Sequence, residues 1–227
     1  MEGHSTSGKG NGGSSGLKPA LQADDKTLYR RRLPHIQPPN SVLFITFRLA
    51  GSSPVEVQKA LRLELLRAQQ AAEAGDKEAM RTARKQYFAR WDEALDRSHG
   101  EPQWLAEPAI AQVVKDVLHE LEAEEYYWLL GFCVMPNHVH VLLQTPETLA
   151  HPFYRTLQLL KGRTAHAANQ LLQRTGSFWQ SESYDHVSDS PAETRRILAY
   201  IVNNPVKAGL ARDWTQWPHT YAHPDAW

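Results

Sequence analysis

Residues 131–144, with the sequence GFCVMPNHVHVLLQ, constrain the fold of this chain most, because they predict a β-hairpin. Two apolar runs flank Pro136 and Asn137, and apolar runs on either side of such residues are typical of paired strands. Side chains alternate between the two faces of a strand, so His138 and His140 should project from one face. Two imidazoles held side by side on a strand can chelate a metal ion. Taken alone, the pair leaves ligation and an ordinary structural role equally open.

A second group of polar residues follows on a predicted helix over 191–203, which begins at Pro191. Pro205 disfavours the α conformation in the residue before it, so this helix should end at residue 203 or 204. Tyr200 and Asn204 are four positions apart and therefore share a face of its last turn. Asn204 offers a carbonyl oxygen as a third ligand, and Tyr200 offers a nucleophilic oxygen. Nitrogen and oxygen ligands without a thiolate fit Mg²⁺ or Mn²⁺ at least as well as Zn²⁺.

Several short motifs, in this order and spacing, resemble those of the REP-associated tyrosine transposases, bacterial relatives of the single-tyrosine HUH transposases. The resemblance covers about residues 29–52 and 104–222. The motifs are PNHVH at 136–140, FWQ at 178–180, YDH at 184–186 and YIVNNPVKAGL at 200–210, preceded by YRRRLPH at 29–35 and VLFITFRL at 42–49.

The resemblance implies roles for four residues. His138, His140 and Asn204 match the metal-binding positions of the family, and Tyr200 matches its catalytic tyrosine. Many relatives outside this branch carry Gln where this chain has Asn204, and Asn has a shorter reach. The implied protein is a transposase: a metal-dependent endonuclease and strand transferase for single-stranded or hairpin DNA of the REP type, which uses Mg²⁺ or Mn²⁺ and a 5′-phosphotyrosine intermediate.

Two other functions remain open from the sequence. The first is a domesticated protein that binds such hairpins without useful cleavage. The second is a zinc hydrolase built on His138 and His140, for which the sequence offers no obvious third strong ligand and no general-base carboxylate. Tyr184 is a rival nucleophile, since Asp185 and His186 follow it, but it has no candidate ligand one turn away.

The overall charge gives a mild argument against DNA binding, because 25 Lys and Arg balance 25 Asp and Glu. Basic residues nevertheless concentrate in the family-like portion. The run at 30–32 precedes the first predicted strand, where a basic arm could follow phosphates or enter a minor groove. Trp179 is a candidate for base stacking, although packing is the commoner role. The candidate DNA-binding residues are Arg30, Arg31, Arg32, Lys161, Arg163 and Lys207.

The order strand–helix–strand–strand–helix–strand predicts an α+β fold, a ferredoxin-like split βαβ antiparallel sheet with helices on one face. The predicted domains are a disordered Gly/Ser-rich tail over 1–28, a catalytic domain over 29–222 and a C-terminal tail over 223–227. A helical hairpin, with a break near Gly75, is inserted in the first crossover at about 53–99. Its role stays open between stabilising the fold, contacting DNA and forming a dimer.

The remaining expectations concern element bounds and surroundings. Helices are predicted over 108–122 and 153–174, the latter closed by Gly176, and a last main strand over 178–187. The single Cys133 excludes a disulfide within the chain, and no apolar run approaches the ~18 residues of a membrane span. These features favour a cytoplasmic protein without membrane contact. The resemblance implies a bacterial, nucleoid-associated protein, either a monomer or a homodimer.

Overall fold

The computed structural model describes residues 28–30, 34–52, 66–67, 70, 73–96 and 102–227. The predicted tail up to residue 27, two of the three basic residues at 30–32, and most of the first half of the insertion lie outside the described residues. Within the described part, no helix is both long and apolar enough to cross a membrane.

Five antiparallel strands form the main sheet, and a small two-stranded ribbon precedes them. When the sheet strands are numbered along the chain, the first four lie side by side in the order 4-1-3-2, which is the order of a split βαβ fold. The fifth strand extends one edge of the sheet. The predicted fold class is therefore confirmed. The ribbon consists of β1 (Leu28–Arg30) and β2 (Pro34–Ile36), and the sheet, in the order β6-β3-β5-β4-β7, consists of β3 (Val42–Arg48), β4 (Trp128–Val134), β5 (His138–Gln144), β6 (Tyr184–Val187) and β7 (Thr220–Ala222).

Helices cover both faces of this sheet, which corrects the prediction of helices on one face. The described helices are α1 (Lys77–Asp96), α2 (Pro108–Ala123), α3 (Tyr154–Leu171) and α4 (Pro191–Lys207). Helices α2 and α3 bury alternate residues of β3, such as Ile45 and Phe47, in one core. The opposite face carries Phe44 and Leu142, which pack against α4 and against Phe88 of α1. Because both faces of the central strands are apolar, both need a helical layer.

Helix α4 continues past the predicted stop and includes Pro205. Pro205 lies in the last turn, where its missing N–H removes only one helical hydrogen bond. Asn204 and Pro205 are both buried against the sheet, and this packing outweighs the local preference against helix before proline. The helix is closed by Gly209, whose φ of +72° lies in the left-handed region.

A close approach between α4 and the sheet depends on Gly131 of β4, beside an irregularity in the pairing with β5. A Cβ at this position would lie 2.5 Å from Cδ1 of Leu198 and 3.0 Å from the carbonyl oxygen of Tyr221. Glycine therefore lets the tyrosine-bearing helix settle directly on the strand next to the histidine strand.

Two element bounds and one additional strand also differ from the predictions. Strand β6 begins at Tyr184, six residues later than expected, and Trp179 makes only an isolated bridge to Leu49. Helix α3 ends at Leu171, and Gln173 rather than Gly176 takes the first left-handed position after it, with φ of +49°. The short edge strand β7 was not predicted.

Candidate active site

His138 and His140 lie side by side on β5 at the centre of the sheet, as the alternation of a strand predicts. Both are buried, and their Nε2 atoms are 3.0 Å apart. His138 Nδ1 lies 2.6 Å from Oδ1 of Asn137, to which it donates, and His140 Nδ1 lies 2.8 Å from Oγ1 of Thr46. Partners at both Nδ1 atoms leave the Nε2 lone pairs directed at each other, the arrangement that metal-binding imidazoles adopt.

Burial keeps the His138 imidazole neutral. It lowers the pKa of His138 from 6.5 to about 3, and the neighbouring His140 lowers it further, while Asp92 opposes the shift. Neutral imidazole is the form that binds metal ions.

Tyr200 and Asn204 of helix α4 both lie next to His140. Asn204 is fully buried, and its Nδ2 lies 3.1 Å from His140 Nε2. Its Oδ1 is buried and has no hydrogen-bond partner among the described residues. The Tyr200 ring lies 5.8 Å from the His140 ring, centroid to centroid. The structure thus brings together the four residues that the sequence grouped.

Asp92 of α1 completes the site, and the sequence analysis did not find it. It is only 2% exposed, and its Oδ1 lies 3.3 Å from His140 Nε2. Its Oδ2 accepts hydrogen bonds from the Tyr200 hydroxyl and, at 3.2 Å, from Lys207 Nζ. Burial alone would raise the pKa of Asp92, but its interactions with His140, His138 and Tyr200 outweigh burial and hold that pKa below its usual range.

A signal for Asp92 was present in the sequence. Phe88 and Asp92 are four residues apart, so a helix must place this carboxylate on the face that carries an aromatic side chain. Phe88 packs against Phe44 and Tyr184, with ring centroids 5.2 Å and 4.4 Å apart. A carboxylate on the buried face of a helix needs a partner, which is a reason to look for one.

The ligand atoms of Asp92, His138 and His140 all lie within 4.8 Å of one another. Neighbouring ligands of an octahedral cation bound at 2.0–2.1 Å are separated by about 3 Å, which matches the 3.0 Å between the two Nε2 atoms. Two orphaned buried oxygens, Oδ1 of Asp92 and Oδ1 of Asn204, stand beside them. The residues present therefore fit a divalent cation.

An open cavity of about 230 Å³ lies beside the Tyr200 ring. Its wall is mainly aromatic, and polar side chains stand at its edge. Tyr184, the rival nucleophile, is in this wall on β6 and is 4% exposed. The lining residues are Phe44, Phe88, Tyr184, His186, Glu193, Arg196, Ile197 and Tyr200.

Two of the predicted DNA-binding residues on α3 are engaged within the protein. Lys161 Nζ donates to the carbonyl oxygen of Gln180 at 3.0 Å and to Oγ of Ser183 at 2.7 Å, which ties α3 to the segment before β6. Arg163 forms a two-pronged contact with Glu124 at 2.6 Å and 2.9 Å. Their predicted contacts with DNA stay predictions.

The other candidates are placed as follows. Lys207 lies in the site itself, half-exposed, with its ammonium on Asp92 and 5.8 Å from the centre of the Tyr200 ring. Arg30 closes strand β1, and Arg31 and Arg32 lie outside the described residues. Trp179 is buried and its indole donates to Oγ1 of Thr164 at 2.8 Å, so its packing role is confirmed.

The family model described as "Transposase IS200 like" matches residues 101–204, which include both histidines, Tyr200 and Asn204. This segment is similar to the IS200-like transposase family. Asp92 lies outside the matched residues, on the inserted helix that precedes them.

Two curated relatives carry the name that the motifs suggested, which confirms the resemblance. The chain is 29% identical over 104 residues to the "Putative REP-associated tyrosine transposase" of Haemophilus influenzae, a match that covers 42% of this chain and 59% of that protein. The "REP-associated tyrosine transposase" of Escherichia coli K12 is 23% identical over 114 residues, covering 50% of this chain and 66% of that protein. The chain thus matches less than two thirds of the length of either relative.

A solved structure supports the fold of this chain. The "Structure of the REP associates tyrosine transposase bound to a REP hairpin" superposes with a TM-score of 0.53 at 16% identity. The match covers 88% of this chain and 89% of that one. At this identity the likeness establishes the fold alone.

Proposed function

We propose that this protein is a transposase that cuts single-stranded DNA beside hairpins of the REP type and transfers the strand through a 5′-phosphotyrosine intermediate. One observation carries the proposal: a buried His-x-His pair faces a tyrosine and an asparagine one helical turn apart. The 3.1 Å contact of Asn204 with His140 fixes the register of that turn over the histidines. A binding protein has no need of all four side chains in one place.

The comparisons support the same activity. Both curated relatives are named tyrosine transposases, and the matched solved structure is that of a REP-associated tyrosine transposase bound to a REP hairpin. Transferred to this chain, these properties favour hairpin DNA as the substrate and a nucleoid-associated protein in the bacterial cytoplasm.

The chemistry assigns a task to each residue. Tyr200 carries the nucleophilic hydroxyl. His138, His140 and Asn204 would hold Mg²⁺ or Mn²⁺, which when bound polarises the scissile phosphate and offsets negative charge in the transition state. The Tyr200 oxygen gives up its proton and forms a bond to phosphorus as the bond to the 3′ oxygen breaks, and the 3′ oxygen takes up a proton, which leaves a 3′ hydroxyl and a 5′-phosphotyrosine. The covalent link keeps the phosphodiester energy available for rejoining.

Asn204 needs a small adjustment for this role. Its nitrogen faces His140 and its oxygen has no partner. Nitrogen and oxygen of an amide side chain exchange places by half a turn about the Cβ–Cγ bond, and that rotation directs the oxygen to the histidine side. The 3.1 Å contact with His140 supports a metal-binding role for Asn204, although its side chain is shorter than the Gln of other relatives.

The test uses single-stranded DNA that contains a hairpin from the host's intergenic repeats and carries its label at the 3′ end, because a 5′-phosphotyrosine retains the downstream fragment. Wild type, Tyr200→Phe and Tyr184→Phe are incubated with it in Mg²⁺ or Mn²⁺ and run on a denaturing protein gel. We expect label on the wild-type and Tyr184→Phe proteins and none on Tyr200→Phe. A labelled Tyr200→Phe protein would place the nucleophile elsewhere, and hairpin binding without any adduct would favour the domesticated binding protein.

One observation also favours a second function. Asp92 gives the histidine pair a buried carboxylate, so a zinc hydrolase no longer lacks a third strong ligand. The same variants separate the two functions, because a hydrolase releases products from Tyr200→Phe without ever forming a labelled protein.

A further inference from the structure

The two oxygens of the Asp92 carboxylate have different surroundings. Oδ2 accepts hydrogen bonds from the Tyr200 hydroxyl and from Lys207 Nζ. Oδ1 is buried and accepts no hydrogen bond from the described residues, although His140 Nε2 is 3.3 Å away. Oδ2 thus accepts a hydrogen bond from the Tyr200 hydroxyl, while Oδ1 faces the histidine pair.

The nitrogen that Oδ1 faces is crowded by polar atoms. His140 Nε2 has His138 Nε2 at 3.0 Å, Asn204 Nδ2 at 3.1 Å and Asp92 Oδ1 at 3.3 Å. His140 Nδ1 is already engaged by Thr46, so a neutral imidazole that donates there presents only a lone pair at Nε2. The Asn204 amide donates to this nitrogen, but the two imidazole lone pairs and the carboxylate oxygen repel one another unless a cation lies among them.

We propose that Asp92, on the inserted helix α1, is a further ligand of the divalent cation held by His138 and His140, and that it ties this cation to the nucleophile Tyr200. The inference rests on the proposed function for the cation itself. It gives the insertion a role, because the inserted helix supplies a side chain to the centre instead of only stabilising the fold.

Charge supports this assignment. Two imidazoles and one amide form a neutral ligand set, which Mg²⁺ and Mn²⁺ bind less readily than a set that includes a carboxylate. Asp92 is the only carboxylate in the group of closely spaced ligand atoms found among the described residues. A carboxylate only 2% exposed is costly to bury without positive charge, and Lys207, which donates to Oδ2, is itself half-exposed.

Mn²⁺ binding to the full chain, measured by isothermal titration calorimetry without DNA, tests the inference. Asp92→Asn keeps the shape and removes the charge, and Glu93→Gln removes a charge from the exposed neighbouring position of the same helix. Loss of a ligand should cost at least the roughly 10–100-fold in affinity that loss of an outer-shell partner costs, so we expect Asp92→Asn to bind at least about tenfold more weakly. Glu93→Gln should bind as wild type does.

A variant with both histidines replaced by alanine separates this inference from the proposed function. If the double variant loses Mn²⁺ while Asp92→Asn binds as wild type does, the Asp92 ligand is refuted and the histidine site stands. If the double variant still binds Mn²⁺ normally, the proposed metal centre itself is wrong.

Asp92→Cys provides a second readout that does not rely on lost affinity. Cd²⁺ prefers thiolate ligands, and a thiolate–cadmium bond gives an ultraviolet charge-transfer band. We expect this band from Asp92→Cys and not from wild type, whose one cysteine, Cys133, is buried on β4. A folded Asp92→Cys protein that shows no band with Cd²⁺ would overturn the inference.

Discussion

Buried His138 makes the metal-free protein sensitive to acid in a way that can be calculated. Burial lowers the pKa of His138 to about 3, whereas the unfolded chain titrates near 6.5. Between these pH values the imidazole is protonated in the unfolded state and neutral in the native state. The free energy of unfolding therefore decreases as pH falls below about 6.5 and continues to decrease to about pH 3. At pH 5 the loss from this one group is roughly 2 kcal/mol, from about 1.4 kcal/mol for each pH unit.

The assay compares wild type with His138→Gln in urea denaturation at pH 8 and pH 5, with a chelator present throughout. Gln retains a polar side chain that does not titrate, so between the two pH values it should lose roughly 2 kcal/mol less stability than wild type. The quantity compared is the decrease in the free energy of unfolding between pH 8 and pH 5, measured separately for each protein. The contributions of the other histidines and the pH-independent cost of the substitution cancel in this comparison. Equal losses in the two proteins would refute the argument, because they would show that native His138 is protonated as readily as an unfolded one.

Two further predictions concern packing. Gly131→Ala forces a methyl group between Leu198 and the Tyr221 carbonyl and should destabilise the protein by about 1–3 kcal/mol in urea denaturation. Gly162→Ala on α3, where an added Cβ meets nothing within 4 Å, is the control for added side-chain bulk. An unchanged midpoint for Gly131→Ala would mean that α4 does not need this approach. Lys161→Met removes the hydrogen bonds to the segment before β6 and should lower the free energy of unfolding by about 1–3 kcal/mol even without DNA. A Lys161→Met protein that is as stable as wild type and loses only DNA affinity would support the phosphate-binding role instead.

The fold class and the grouping of four site residues were predictable because they depend on local patterns. Strand alternation placed His138 with His140, and helical spacing placed Tyr200 with Asn204. The structure confirms both placements and the predicted sheet. The functional roles of these residues remain proposals.

What the sequence did not predict depends on contacts between distant segments. Asp92 lies in a charged helical stretch where an acidic residue normally faces solvent, and only the packing of Phe88 on the sheet shows that its face is buried. The end of α4 was misplaced for a related reason. The rule for residues before proline is local, and burial of Asn204 and Pro205 against the sheet overrides it.

The position of Asp92 also has a consequence for how the protein becomes active during its own synthesis. Its contact with Tyr200 spans 108 positions of the chain, and the contact of Thr46 with His140 spans 94. Contacts this distant form late in folding, after the intervening segments have been ordered. A ribosome-bound chain that has not yet released α4 has histidines but no nucleophile beside them. The site of Asp92, the two histidines, Tyr200 and Asn204 would thus be complete only after α4 has folded onto the sheet.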